Sequence, residues 1–187
     1  MSLSKKDKQW LLKLSRATLE GLFDSTRKPS LENVEIPSSV TEKRGAFVTL
    51  KKKGQLRGCI GYVEELMPLY KAVMENTENA ALKDPRFPPL HKDEVSQVSI
   101  EISAMSPLTE ISGIDEIKVG KHGLVVEQGF FRGLLLPQVA VEHEMNEQQF
   151  LEQTCLKAGL PAESWKDDNT RIYVFSAEVF SEEDEGK

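Results

Sequence analysis

The chain has 187 residues, 30 of them acidic and 24 basic for a formal net charge of −6, with 39% hydrophobic and 29% charged side chains. That length suffices for one domain or two dependent lobes, the composition is that of a globular chain, and the negative charge argues against a coat of non-specific nucleic-acid contacts. No apolar run approaches the roughly 20 residues that span a bilayer, and Met1-Ser2-Leu3-Ser4-Lys5-Lys6 has no apolar signal core behind it. The expected location is therefore the cytoplasm, without membrane contact. The two cysteines, Cys59 and Cys155, stand far apart in such a chain, so a structural disulfide is not expected.

In chain order, Trp10, Leu11, Leu14, Ala17, Thr18 and Leu22 share a helical face, and Ser4-Lys5-Lys6-Asp7 has the form of a capping box. From Lys28 to Arg44, Pro29, Pro37 and the absence of a sustained period predict a long loop. A β-hairpin follows, Gly45 to Leu50 and Gln55 to Val63, turning at Lys53-Gly54. Pro68 then opens a helix carrying Leu69, Ala72, Val73, Asn76, Ala80 and Ala81, which Asp84-Pro85 stops and which is expected to cross the hairpin. From Gln97 to Met105, Val98, Ile100, Ile102 and Ala104 alternate with polar residues, the pattern of a strand buried on one face in an antiparallel or mixed sheet.

After Pro107 the chain is rich in glycine and short strands, predicted at 117–119, 123–127 and 130–136 around a Gln128-Gly129 turn. Asn146 and Gln149 cap a further helix with the stripe Phe150, Leu151, Thr154, Cys155 and Ala158, stopped at Gly159-Leu160-Pro161. A last strand covers Arg171 to Phe180, with Tyr173, Phe175, Ala177 and Val179 on one side, and an acidic tail expected to fray begins at Glu182. Helices and strands do not alternate strictly, which predicts an α+β fold, a mainly antiparallel or mixed sheet flanked by helices. A larger lobe of about residues 1–110 and 140–187 and a smaller β-rich lobe of about 111–139 are expected within a single domain.

The first candidate site is Leu56-Arg57-Gly58-Cys59-Ile60-Gly61. On a regular strand Leu56, Gly58 and Ile60 would face the core, leaving Arg57, Cys59 and Gly61 together on the other face. Arg57 would then activate the Cys59 thiol as a nucleophile. Gly58 and Gly61 let a ligand or another backbone come close, and amides beside a cysteine can bind an anion or a developing oxyanion. The same residues also read as a bulge, with Cys59 a small buried hydrophobe and Arg57 paired to a carboxylate.

In Asp84-Pro85-Arg86-Phe87-Pro88-Pro89 the prolines could fix Arg86 for a carboxylate or phosphate, or Asp84 and Arg86 could pair and brace the connection. His122, in Gly120-Lys121-His122-Gly123, is expected on a tight exposed turn, and Glu142 is either a base or a cap for a neighbouring amide. Lys51-Lys52-Lys53 is a weak RNA candidate beside its plainer reading as a solvated tip that discourages edge pairing. No Cys-x-x-Cys or His-Glu-x-x-His spacing joins Cys59, His122, Glu142 and His143, and neither Gly-x-Gly-x-x-Gly nor a Walker loop occurs. No metal and no cofactor are expected.

Taken together, Leu56 to Gly61, Asp84 to Pro89, Val119-Gly120-Lys121-His122-Gly123 and Leu136-Pro137-Gln138-Val139-Ala140-Val141-Glu142 resemble the AMMECR family in order and spacing, over about Gly45 to Phe180. The resemblance implies an α+β fold of two unequal lobes with a cleft between them, and no known reaction. It also implies company: prokaryotic members are often encoded beside or fused to Memo-like and radical SAM proteins, which hints at a modification pathway. Carried over, the site positions are Arg57, Gly58, Cys59, Gly61, Asp84, Arg86, His122 and Glu142. Where relatives commonly have glycine-tryptophan before the late helix, this chain has Glu144-Met145, which puts the packing of that helix entry in question.

Two functions are carried forward. In the first, an enzyme or enzyme component uses Cys59 as nucleophile or covalent carrier, Arg57 and Arg86 bind a small anionic or nucleotide-like ligand, and His122 or Glu142 moves protons. In the second, an RNA-binding or protein-interaction module keeps Cys59 for structure.

Overall fold

The computed structural model describes residues 2–32 and 34–186. Helix α1 (Lys5–Gly21) starts at Ser4, whose hydroxyl accepts the Asp7 amide while the Asp7 carboxylate accepts the Ser4 amide, the predicted capping box. A one-turn helix, α2 (Ser38–Thr41), lies inside the predicted long loop. The hairpin consists of β1 (Ala46–Lys52) and β2 (Gln55–Tyr62). Its turn residues Lys53 and Gly54 both have positive φ, 53° and 76°, a geometry that matches the twist of the flanking strands. Helix α3 (Leu69–Leu82) and β3 (Val98–Met105) follow, separated by a short 3₁₀ turn, Lys92–Gln97. The remainder is β4 (Thr109–Ile111), β5 (Gly123–Gln128), β6 (Phe131–Leu135), α4 (Pro137–Glu142), α5 (Glu147–Lys157), β7 (Arg171–Phe175) and β8 (Ala177–Ser181).

The strands form two four-stranded sheets, ordered β2-β1-β3-β8 and β4-β7-β5-β6, so the fold is α+β, as expected. Among the described residues no helix is long and apolar enough to cross a membrane. The chain divides into two compact units, residues up to 105 with those from 178 onward, and 106–177 between them. Residues 140–177, grouped with the first lobe from sequence, therefore lie in the second unit, because α5 packs on the second sheet.

In the first unit α1 and α3 cover one face of the sheet. Leu11, Leu12 and Leu19 of α1 and Leu69, Ala72 and Val73 of α3 meet Val48, Leu50, Ile100 and Ile102, all buried. Two polar anchors tie this core to the chain ends. The buried Arg44 donates from Nε to the Met105 carbonyl at 2.6 Å, and Glu178 of β8 takes the Arg44 guanidinium and the Leu3 amide. Glu182 accepts the Arg16 guanidinium of α1 and, at 2.8 Å, the Ile100 amide of β3. The tail predicted to fray is thus held at its first residue by two elements.

In the second unit α5 begins at Asn146 with the predicted Gln149 partner, and Phe150, Leu151, Thr154 and Cys155 are buried. Two expectations fail there. Residues 117–119 form no strand, because the backbone closes a turn in which the Lys121 and His122 amides both reach the Lys118 carbonyl. The last strand is two strands: Ser106 and Ser176 bond each other's backbones, the Ser176 amide donating to Ser106 Oγ at 2.9 Å, and the chain leaves the second sheet for the first at that point.

The Glu144-Met145 departure has a local explanation. Glu144 sits at φ 51°, in the left-handed region where glycine fits without strain, and Met145 packs partly against the second core. Glu144→Gly is therefore expected to stabilise the protein by up to about 1 kcal/mol, the left-handed penalty of an L residue less the backbone entropy glycine brings. Urea unfolding of the two proteins checks this, and a loss of stability would show that position 144 does not need glycine's freedom.

Candidate functional site

The site grows from an obligation of β2. It is the outer strand of its sheet, so alternate residues direct their amide and carbonyl away from β1 with no strand to receive them. Its register carries a second feature. Leu50 stands opposite Gly58 but Lys51 stands opposite Leu56, which leaves Arg57 as an extra, bulged residue.

The bulge overturns the expected alternation. Gly58 and Ile60 do face α3, but Leu56 leaves the core and is 43% exposed. Arg57 turns to the segment that follows α3: it donates from Nε and Nη2 to the Glu94 carboxylate at 3.1 and 2.9 Å, and to the Pro88 and Pro89 carbonyls at 3.0 and 3.4 Å. Glu94 also accepts Lys52 Nζ and the His91 amide. The carboxylate partner considered for Arg57 from sequence is Glu94. Lys51 likewise pairs with Glu101 at 2.7 Å, so two of the three tip lysines are neutralised.

The edge obligation falls on Cys59, and side chains discharge it. Asp84 Oδ2 accepts the Cys59 amide at 2.8 Å, and Arg86 Nη2 donates to the Cys59 carbonyl at 3.1 Å. Arg86 also chelates Asp84, Nε to Oδ1 at 3.0 Å and Nη2 to Oδ2 at 2.8 Å, so the pair occupies the place of a neighbouring strand. Asp84 is buried, whereas the Arg86 side chain is 55% exposed and its Nη1 has no hydrogen bond among the described residues. The Arg86 guanidinium holds the Asp84 carboxyl well below the usual carboxylate range, and Asp84 in return raises the guanidinium, with a smaller contribution from Cys59. Hydrogen bonds from Arg57, Lys52 and the His91 amide hold Glu94 similarly low.

The thiol itself is half-buried, and its Sγ accepts the Thr49 hydroxyl at 3.2 Å across the hairpin. The cation that reaches Cys59 is thus Arg86 and not Arg57. The glycines serve neighbouring backbone: a Cβ on Gly58 would stand 2.2 Å from the Ala80 carbonyl oxygen of α3, and one on Gly61 would stand 2.3 Å from that of Ala46. Cys155 offers the contrast, being buried in the second core with its thiol pushed up by that burial.

Arg57, Gly58, Cys59, Asp84 and Arg86 therefore come together on the first unit, Gly61 one turn of the pleat further along β2. His122 and Glu142 belong to the second unit. His122 closes its own turn and is half-buried, with Nδ1 accepting the Lys118 amide at 3.3 Å; burial pushes the imidazole down, and Lys121 and Lys118 push it further. Glu142 ends α4 exposed, with neither the base's partner nor the cap considered from sequence among the described residues. Among those residues no three His, Cys, Asp or Glu side chains gather as a metal site would require. Sequence reasoning missed Glu94 and Thr49. The first carries no motif, and the second faces Cys59 only because the bulge shifts the register by one.

Comparison with known proteins finds likenesses along almost the whole chain. The AMMECR1 family model matches residues 12–180. Protein PF1979 of Pyrococcus furiosus is 42% identical over 185 residues, covering 94% of this chain and 88% of that one. A protein of Methanothermobacter thermautotrophicus is 42% identical over 187 residues, covering 97% of each. The crystal structure of the uncharacterized protein PH0010 from Pyrococcus horikoshii matches with a TM-score of 0.77 at 39% identity, covering 97% of this chain and 94% of that one.

Two outcomes are expected of the site as built. Gly58→Ala should cost about 1–3 kcal/mol or more in urea unfolding, because the opposing atom is helix backbone and cannot swing aside. The depressed Asp84 and Glu94 carboxyls stabilise the folded chain above their ordinary values of 3.8 and 4.5, and that stability is lost as pH falls toward their folded values. The variant Asp84→Asn/Glu94→Gln should hence be less stable at pH 7 and lose less on acidification from about pH 5 to about pH 2 than the parent does. Parallel acid limbs would remove both carboxylates from the account.

Proposed function

The chain belongs to the AMMECR1 family, and on that premise we propose that it acts through Cys59, as a nucleophile or covalent carrier for a small substrate bearing an anionic group. The observation that carries this reading is the holding of Cys59. Its amide and carbonyl are both clamped by Asp84 and Arg86, while the residue stays only partly buried and its sulfur accepts the Thr49 hydroxyl. The clamp answers the need of an outer-strand backbone, and by standing in for a strand it leaves the cysteine side chain uncovered enough to react.

Arg86 supplies the anion subsite. Its Nε and Nη2 are consumed by Asp84 and the Cys59 carbonyl, which fixes the plane of the guanidinium and leaves Nη1 outward for a carboxylate or phosphate oxygen. The Thr49 hydroxyl donates to the sulfur and so stabilises the thiolate that reacts, the thiol proton passing to solvent. Arg57 serves this reading only indirectly, by pinning the strap of residues 84–97 through Glu94. His122 and Glu142 are not required by it. The Memo-like and radical SAM partners implied by the family resemblance belong to the same reading, with this chain as the component that carries or receives a group on Cys59. The alternative of RNA binding at the hairpin tip draws no support from lysines already paired with Glu101 and Glu94.

Thiol modification of the folded protein by a disulfide reagent should label Cys59 at least tenfold faster than Cys155. An anionic reagent should lose rate on Arg86→Gln while a neutral one does not. Equal inertness of the two cysteines would remove the nucleophile role, and identical effects on both reagents would remove the anion subsite.

A further inference from the structure

The face of the first sheet opposite α1 and α3 carries small and polar residues around Cys59. In register across β2, β1 and β3 stand Cys59, Thr49 and Glu101, and in the next row of that face Gly61, Phe47 and Ser103, each of the six partly exposed. Phe47 is the large apolar side chain of the group, and it joins neither apolar core. Nor does its ring pair with another aromatic ring among the described residues. A phenyl group placed there gains only part of the burial that a core position would give it.

Gly61 decides where that ring lies. A Cβ on Gly61 would stand 2.4 Å from Phe47 Cγ, so the Phe47 side chain occupies the place of the missing one, over β2. Residues on one face of a strand follow each other at about 7 Å, which puts the ring one such step from Cys59. Interacting aromatic rings have their centroids about 4.5–7 Å apart. A planar group set against Phe47 on that side therefore comes level with Cys59.

Three unlike groups then border the sulfur: the ring of Phe47 along the face, the Thr49 hydroxyl across the hairpin, and Arg86 at the strand edge with Nη1 outward. Glu101, opposite Thr49, is paired with Lys51 at 2.7 Å, which lessens its repulsion of an anion held beside Cys59. Resting on the reading of Cys59 as a nucleophile, we propose that the substrate is an aromatic acid, a planar ring bearing a carboxylate or phosphate, and that Phe47 selects the ring while Arg86 binds the acid. An aliphatic acid would satisfy Arg86 and leave the face of Phe47 without a partner. An aromatic amine would meet the guanidinium with like charge.

Cover for Gly61 alone is a role that leucine also fills, so the test compares reagents instead of stability. Two dicarboxylate disulfides serve, one aryl, bis(carboxynitrophenyl) disulfide, and one alkyl, the disulfide of mercaptopropionate, with labelling read at Cys59 by peptide mapping. In both, the Cys59 thiolate attacks one sulfur, a mixed disulfide forms, and the other half leaves as a thiolate. Phe47→Leu should slow the aryl reagent about three- to tenfold, the worth of an aromatic contact, and leave the alkyl rate unchanged. Phe47→Tyr, which keeps a ring, should preserve both rates. Equal slowing of the two reagents by Phe47→Leu, or no slowing, would overturn the proposal. A Cys59 that reacts with neither reagent would count against the nucleophile and not against the ring. In that case, or if Phe47→Leu does not fold, benzoate and cyclohexanecarboxylate titrated into the parent and into Cys59→Ala decide the matter, followed by NMR at the Gly61 amide. Tighter binding of benzoate in both proteins supports the ring site, and equal or absent responses overturn it.

Discussion

An outer strand must place its unused amides somewhere, and in this chain that requirement shapes the region around Cys59. The Asp84–Arg86 pair stands in for a missing strand at one residue, binding the amide and the carbonyl of Cys59 together. A side-chain strap of this kind differs from a further strand in one respect. It satisfies the backbone while leaving the adjoining face uncovered, so a cysteine can be held firmly and still meet solvent. Pro85 lies in the turn that the Phe87 amide closes on the Asp84 carbonyl, and the Glu94 carboxylate fastens the far end of the strap to Arg57 and Lys52.

Much of the fold was legible in the amino-acid order. The capping box at Ser4, the Lys53-Gly54 turn, the alternation of β3 and the Asn146 start of α5 were all visible, because each rests on interactions among residues close in sequence. The misreadings came where distant parts decide. Nothing in Gln55 to Tyr62 announces the bulge at Arg57, whose position depends on pairing with β1 and on Glu94, 37 residues away. On an unbulged strand Arg57 would lie beside Cys59 and Leu56 would lie in the core. The break at Ser176 was hidden for the same reason, since a run of β-forming residues does not reveal that its halves join different sheets. Arg44 is the clearest case: it reads as the end of a polar loop, yet it is buried, with the Met105 carbonyl and the Glu178 carboxylate among its partners.

The candidate site was legible in its residue types more than in its roles. Cys59, Asp84 and Arg86 were each singled out, and they meet. Arg57 and the glycines are expected at the site from sequence, and the contacts they make are with the protein's own chain: Arg57 fastens the strap, and Gly58 admits α3. A similar joint recurs in the second unit, where Gly133 lies under the backbone of α5 as Gly58 lies under that of α3. In both, a helix crosses a hairpin at the strand residue that lacks a side chain. Close approach by the protein's own backbone is reason enough for a glycine at both positions.

The placement of β8 bears on how the chain is made. The first unit's sheet is completed by a strand that follows the whole of the second unit, and the carboxylates that grip Leu3, Arg44 and Arg16 ride on or just after it. During synthesis from the N-terminus, the intervening unit is contiguous and can close as soon as β7 has emerged. The earlier unit waits as three strands and three helices, with Arg44 lacking the Glu178 carboxylate, until β8 leaves the ribosome. The edge of β3 is consequently open for the time taken to translate about seventy residues, which makes it the surface most in need of protection while the chain is nascent.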